Sequence, residues 1–418
     1  MTRTAGRITA FVLFATTVSF LISMAGSSLK STVQVLFLPI ADGLDVNRGT
    51  LAIATTLFAV VTALVSSAVG HLAERIGAVP VLAIGAATTG GVLILCAYAT
   101  DIWMFVLAYG VLGAIGCTML SFVPLGVLAD QLFRGRNAGF VYAVLTNGAA
   151  VGFIVLVPLW TFLGTTLTWN RILLAVGVVF IAVLLPLSLV LVKYSARQGG
   201  RPTPSETTLW QGIRTTFQNK RVRGLILPFF ACGTTMAFID VHLFPHMHDH
   251  GVAPAVSSLS FVLLGVLEII GSLVAGRLCD KGLIRTTLMG AYLIRAASML
   301  LLPFFDSAAI VLLFGAIFGA SYLATVVATT VWITQIVPKG TRGTALGVLW
   351  SLHMVAVALS SQVGAIIADV EHSYLPMILG CAALTTAAAI LISRQPDPNE
   401  TPTAPTNTTP VAATTAVE

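Results

Sequence analysis

Apolar runs of about twenty residues recur along the chain from Ile8 to Ile392, separated by short stretches rich in glycine, proline or charge. At roughly 1.5 Å per helical residue, such a run crosses about 30 Å of hydrocarbon. Inside hydrocarbon each backbone donor and acceptor must be satisfied within the chain, so the runs predict helices. Twelve are expected, over 8–40, 50–70, 78–99, 102–129, 138–164, 169–193, 223–248, 255–278, 284–303, 307–335, 344–368 and 373–392. The first is too long for one straight crossing, and Gly26, Ser27 and Ser28 are expected to bend it.

The composition agrees, with 57% apolar and only 9% charged residues. No soluble core can hide that proportion. A signal-peptide reading of Met1 to Ser28 fails, because no soluble domain follows it. The five cysteines lie scattered in apolar segments and imply neither a disulfide framework nor a zinc site.

The net charge of +6 would suit nucleic acid, but the positions of the basic residues exclude that partner. Of the 22 Lys and Arg, eighteen lie at the termini or in the even-to-odd loops, among them Arg75, Arg134, Arg136, Lys193, Arg201, Arg214, Lys281 and Arg342. Arg48 and Arg171 lie on the opposite side, and Lys30 and Arg295 fall inside spans. This asymmetry predicts a multi-pass protein of the plasma or inner membrane with both termini in the cytoplasm.

The longest internal loop, 194–222, divides a half at 1–193 from a half at 223–392. Within the loop Leu209, Trp210, Ile213 and Phe217 share a helical face, with Arg214, Lys220, Arg221 and Arg223 around it. Two readings fit, a short helix on the anionic leaflet and a solvated linker. The Pro- and Thr-rich tail, 393–418, is expected to be disordered.

Shifting the chain by 206 residues lays "LPIADGLDV" to "GHLAER" on "FPHMHDHGV" to "GRLCDK" without gaps, so that Glu74 meets Asp280 and Arg75 meets Lys281. The fold class expected is therefore an all-α membrane protein of twelve transmembrane helices, in two six-helix pseudo-repeats around a central cavity. The matched loops carry Gly70, Glu74, Arg75 and Gly77 in the first half and Gly276, Asp280, Lys281 and Arg285 in the second. They resemble the signature loops of the major facilitator superfamily. "FRGRNAGF" (133–140) and "KGTRGTALG" (339–347) are similar to its other loop pair. Small residues let helices approach, while acid and base can bridge to a neighbouring helix end and hold one closed state.

Four ionisable residues sit inside predicted spans, Lys30, Asp240, Glu268 and Arg295. Each costs about 3 kcal/mol or more at mid-bilayer and so needs a partner or a role. Glu268 and Arg295 fall at one depth on adjacent antiparallel helices, roughly 17 Å from the cytoplasmic turn, which predicts an ion pair. The functional alternative is that Glu268 faces the cavity and takes the coupling proton. Lys30, about 14 Å below the outer end of its span, can attract a carboxylate or snorkel outward. Asp240 is expected to face the cavity as a second proton acceptor or to pair with a histidine.

"LKSTVQVLFLPI" (29–40) resembles the end of the first span in proton-coupled monocarboxylate carriers, with Lys30 and Ser31 matching their lysine and serine. That resemblance implies a part for Lys30 in proton and anion binding. "SFVLLGVLEIIGSLVAGRL" (260–278) is similar to their eighth span, with Glu268 on the acid and Ser272 where they carry arginine. Arg295 on span nine could replace that arginine, although span nine is peripheral in the superfamily. The motif that opens their first span is replaced by "RITAFVLFATTV".

The resulting expectation is a secondary transporter working by alternating access, a monomer that carries a small organic anion with protons and uses no cofactor. Lys30, Tyr142, Asn147, Tyr322 and His353 are the candidate substrate contacts, each of the last four also fitting an interhelical role. Trp332 and Trp350 are expected as interfacial anchors. Proton-driven efflux of an amphipathic compound is the alternative, although Phe153 follows Gly148 and Gly152 where antiporters often carry a GxxxGP spacing. An enzyme is not expected, because neither HExxH nor a nucleophile elbow occurs.

"DVHLFPHMHDHG" (240–251) remains, with His242, His246 and His250 four apart. A metal site would need that helical stripe intact, and Pro245 is expected to interrupt it. The repeat places the stretch at the outer mouth of span seven, where His242 or His246 beside Asp240 would serve as an outer gate or sit in a wet turn.

Overall fold

A computed structural model of the protein describes residues 2–132, 137–197 and 207–398, with the side chains of 2–12, 132 and 196–197 left aside. Arg134, Arg136, Arg201 and the tail beyond 398 lie outside the described residues. Among the described residues twelve helices are long and apolar enough to cross a membrane. Spans one to six are Leu13–Val35, Arg48–Arg75, Ala78–Ala97, Ile102–Gln131, Ala138–Leu163 and Trp169–Ser195. Spans seven to twelve are Lys220–Asp249, Pro254–Asp280, Ile284–Phe304, Ala308–Ile336, Arg342–Glu371 and Leu375–Ser393. Below, the terminal side is the side of the even-to-odd turns, and the far side is its opposite.

Close packing rests on small residues. A Cβ on Gly148 or Gly152 of span five would strike the span-one backbone at the carbonyls of Phe20 and Met24. Gly315 and Gly319 of span ten meet span eight in the same way at the carbonyls of Ser260 and Leu264.

The expected bend at Gly26 to Ser28 is absent, and a single helix runs over Thr2–Val35. Its small residues are used otherwise. A Cβ on Gly26 would lie 3.2 Å from Leu120 Cβ, and the Ser27 and Thr32 hydroxyls donate to helix carbonyls at 2.7 and 2.6 Å. The chain turns only at Leu36, ahead of the short helix Phe37–Gly43.

Span seven corrects a second expectation, because Pro245 does not end its helix. Proline removes one helical donor. A π-helical turn, Phe238–His242, shifts the bonding just before it, and the helix resumes over Leu243–Asp249. Trp332 and Trp350 are not interfacial anchors. They are only 1% and 5% exposed, packed between helices.

Between the halves, Leu209–Gln218 forms a helix opened by a capping box of Thr208 and Gln211. Asn219 ends it and caps span seven by accepting from the N–H groups of Arg221 and Val222.

Candidate functional site

Lys30 leaves span one as an exposed ammonium, and Asp240 leaves span seven as an exposed carboxylate within electrostatic range of it. The two spans belong to opposite halves, so this interaction crosses the boundary between them. The Tyr322 side chain of span ten lies close to Asp240. Glu268 of span eight, half-buried, lies within electrostatic range of both Asp240 and Tyr322. Four predicted residues thus converge from four spans.

Arg295 does not make the expected ion pair. Among the described residues the salt bridges within 4.0 Å are His248–Asp249, Arg285–Asp397 and Arg342–Asp130. The guanidinium, 0% exposed, turns instead to span ten, donating from Nη2 to the carbonyls of Ser321 and Tyr322, each at 2.7 Å. It also donates to Thr325 Oγ1 at 3.1 Å and, from span seven, to Cys232 Sγ at 3.1 Å and Thr235 Oγ1 at 3.3 Å. This set of acceptors exceeds what one carboxylate offers and offsets part of the cost of burying the charge. Glu268 supplies an opposite charge at longer range. Arg295 therefore braces the site from behind and does not face the cavity.

Three predicted substrate contacts prove to be packing groups. Asn147, 3% exposed, accepts from Ser272 Oγ at 2.9 Å and donates to the Ile269 carbonyl at 3.4 Å, joining span five to span eight. Tyr142, 1% exposed, donates to the Phe122 carbonyl at 3.3 Å. His353, also 1% exposed, pairs through Nδ1 with the Phe229 carbonyl at 3.2 Å, with Cys232 close by. A polar residue in a span leaves this choice open, because either role satisfies its hydrogen bonds.

Sequence reasoning missed an aromatic cluster. Phe122 of span four stacks on Trp350 of span eleven, with centroids 5.0 Å apart, so the contact crosses between the halves. Trp350 also meets the His353 ring at 4.8 Å and the Phe229 ring at 5.3 Å. In a chain this apolar no spacing marks out two aromatics from distant spans.

The terminal side is closed by the matched loops. Glu74 accepts the Gly343 N–H at 2.8 Å and the Thr344 hydroxyl at 3.3 Å, placing a carboxylate at the start of span eleven. Its repeat counterpart Asp280 accepts the N–H groups of Gly139 and Phe140 at 2.8 and 2.9 Å, at the start of span five. Each acid satisfies orphan donors and meets the positive end of a helix from the other half. Gly70 abuts the Gly343 carbonyl, and Gly276 abuts that of Gly139. Gly77 adopts φ 97°, where a side chain would be strained. Arg75 and Lys281 are exposed and make neither closure contact. Asp130 and Arg342 add a contact not anticipated from sequence, at 2.6 Å between span four and span eleven.

His242 and His246 are neither a wet turn nor a bridge between the halves. They are 2% and 3% exposed and pair through Nε2 with the carbonyls of Ser361 and Leu302, each at 3.0 Å. Those carbonyls belong to the same half, so the two histidines fasten its far end. His250 follows at one helical turn, 4.3 Å from the His246 ring, and Tyr374 closes the group beside His242 at 5.3 Å. Burial, with Asp249 and Asp369 nearby, pushes the Tyr374 phenol above its ordinary value. Among the described residues no group of three or more His, Cys, Asp or Glu could hold a metal.

Comparison with known proteins agrees with this architecture. An uncharacterized MFS-type transporter of Bacillus subtilis (strain 168), YcxA, is 28% identical over 396 residues, covering 93% of this chain and 95% of its own. Monocarboxylate transporter 12 of Rattus norvegicus is 25% identical over 340 residues, covering 73% and 68%. Among solved structures, the proton:xylose symporter XylE bound to 6-bromo-6-deoxy-D-glucose superposes with a TM-score of 0.70 at 13% identity, covering 92% of this chain and 96% of that one. The family model of the Major Facilitator Superfamily matches residues 12–361 and 231–415. With twelve spans, paired helix-capping acids and a family match over most of its length, the chain belongs to the major facilitator superfamily of membrane transporters.

Proposed function

We propose that this transporter carries a small organic anion such as a monocarboxylate together with a proton, by alternating access. The observation that carries the reading is the exposed Lys30 ammonium of one half within electrostatic range of Asp240 of the other. Ser272, where the resemblance expects an arginine, spends its hydroxyl on Asn147. Lys30 then holds the carboxylate as a point charge, without a bidentate partner.

Charge balance supplies the coupling. Lys30 and Arg295 stand against Asp240 and Glu268, so the cluster is neutral when all four are ionised. An arriving monoanion adds one negative charge in a space of low dielectric, where uncompensated charge is costly. A proton on Asp240 or Glu268 restores neutrality, so one proton travels with each anion. Similarity to monocarboxylate transporter 12 supports the substrate class, and the proton:xylose symporter is a precedent for proton coupling on this fold. The terminal side is the cytoplasmic one in this reading, so the closure made by Glu74 and Asp280 is a cytoplasmic one. The path lies within one chain, so a monomer suffices.

In proteoliposomes a pH gradient, acidic outside, should drive accumulation of a labelled monocarboxylate. Glu268→Gln should retain exchange of labelled for unlabelled substrate and lose accumulation against the gradient. Accumulation unchanged in both Glu268→Gln and Asp240→Asn would sink the coupling. Thermal stabilisation by amphipathic cations and not by carboxylates would sink the anion.

A further inference from the structure

The helix Leu209–Gln218 has two unlike faces. Gly212 and Thr216 are buried, and the helix packs on span two of the first half and on spans seven and eleven of the second. It therefore lies over the seam between the halves on the terminal side. Gly212 is what allows the approach, since a Cβ there would come within 2.9 Å of Thr344 Cγ2. Thr344 is the residue whose hydroxyl bonds Glu74 in the terminal closure. A continuous chain of contacts thus joins the linker helix to the closed seam.

The opposite face carries Trp210, Arg214 and Phe217, spaced four and three apart as one stripe. Trp210 is 77% exposed and Phe217 41% exposed, and Arg214 between them is exposed as well. From Thr207 to Arg223 the chain holds four basic residues and no acid. Lys220 and Arg223 are exposed beside the stripe. Aromatic rings for the headgroup zone and cations for its charge make up the chemistry of a membrane-surface helix.

We propose that this face docks on anionic lipid headgroups and that lipid binding there, through Gly212 and Thr344, favours the state closed on the terminal side. The proposal rests on the assignment of that side to the cytoplasm only for its biological setting. The occupant is lipid because the exposed face combines rings and positive charge without any acid, on a helix set beside membrane-spanning helices.

The test uses the full chain in nanodiscs of phosphatidylglycerol and phosphatidylcholine, one lipid set brominated in its acyl chains. The emission lost on Trp210→Phe isolates Trp210 from the other tryptophans. That component should be quenched by brominated lipid, and exchanging phosphatidylglycerol for phosphatidylcholine should lower the docking equilibrium constant read from the quenching roughly fivefold for each basic residue engaged. Arg214→Gln, Lys220→Gln and Arg223→Gln together should erase the difference between lipids. Spin labels at Ile76 and Lys339 should report a larger closed population in phosphatidylglycerol. Gly212→Val should keep the quenching and lose that population shift. Absence of Trp210 quenching overturns the docking surface, including the case in which Trp210 is shielded only as protein concentration rises, which would mean a second copy. Quenching with no lipid effect on the label distance overturns the coupling. The assay holds no substrate and no pH gradient, and a nanodisc exposes both leaflets. A wrong substrate or a wrong sidedness therefore leaves its outcome unchanged.

Discussion

Lys30→Gln abolishes uptake of a labelled monocarboxylate while the amount of folded protein in the membrane stays at the wild-type level. Lys30 is exposed and acts on Asp240 of the opposite half by charge alone, so its loss removes no core packing. It leaves the cluster with Asp240 and Glu268 against Arg295 alone, a net charge of −1 before substrate arrives. At about 4 Å and an effective dielectric near 20, a lost unit charge is worth roughly 4 kcal/mol. That corresponds to roughly a thousandfold in affinity. Arg295 cannot substitute, because its donors are committed to the carbonyls of Ser321 and Tyr322 and to neighbouring hydroxyls. Initial rates over a range of substrate concentration, normalised to protein in the membrane, give the result. Uptake at the wild-type rate would mean that Lys30 serves only to hold Asp240.

Gly70→Leu stops the transporter from closing on its terminal side. The helices cross so tightly there that even a Cβ on Gly70 would overlap the Gly343 carbonyl, and Val123 Cγ1 would lie 3.1 Å from it. Neither a backbone carbonyl nor a packed span can withdraw without opening the seam that Glu74 holds. Overpacking of this kind costs about 1–3 kcal/mol, and here the cost falls on one state and not on the fold. The closed population should drop by roughly tenfold to a hundredfold, with transport falling in proportion. The same spin labels at Ile76 and Lys339 should report the widening. Gly91→Ala and Gly290→Ala are the controls, since a Cβ at either position meets nothing within 4 Å. They should leave transport unchanged and add up to about 1 kcal/mol of helix stability. An unchanged label distance in Gly70→Leu would mean that this contact does not define the closure.

Much of the architecture was legible in the chain because its cause is local. A run of apolar residues in hydrocarbon has to be helical, and the spans appear close to where the runs predict them. The breaks were less legible. Small residues at Gly26, Ser27 and Ser28 looked like a bend and proved to be contact surface, while Pro245 looked like a helix end and was absorbed by a π turn. Both outcomes depend on which neighbours press on the helix.

The candidate site divides in the same way. Depth can be counted along a helix, and counting brought Glu268 and Arg295 within electrostatic range. It could not say which way either side chain turns. Arg295 found several acceptors on spans seven and ten where the count foresaw one carboxylate. Asn147, Tyr142 and His353 were polar residues in plausible spans, and the structure spends each on an interhelical bond.

By itself the sequence determined the twelve spans, the repeat that sets Glu74 opposite Asp280, and the four ionisable residues for which a membrane protein must find a use. Those follow from hydropathy, spacing and the cost of charge in hydrocarbon, which act along a single segment. Only the tertiary structure decided that Lys30 and Asp240 come within electrostatic range of each other, that Phe122 and Trp350 meet across the two halves, and that the terminal side is the closed one. Each of these depends on the azimuth of one helix against another. That angle is fixed by packing between segments far apart in the chain, and no single segment encodes it.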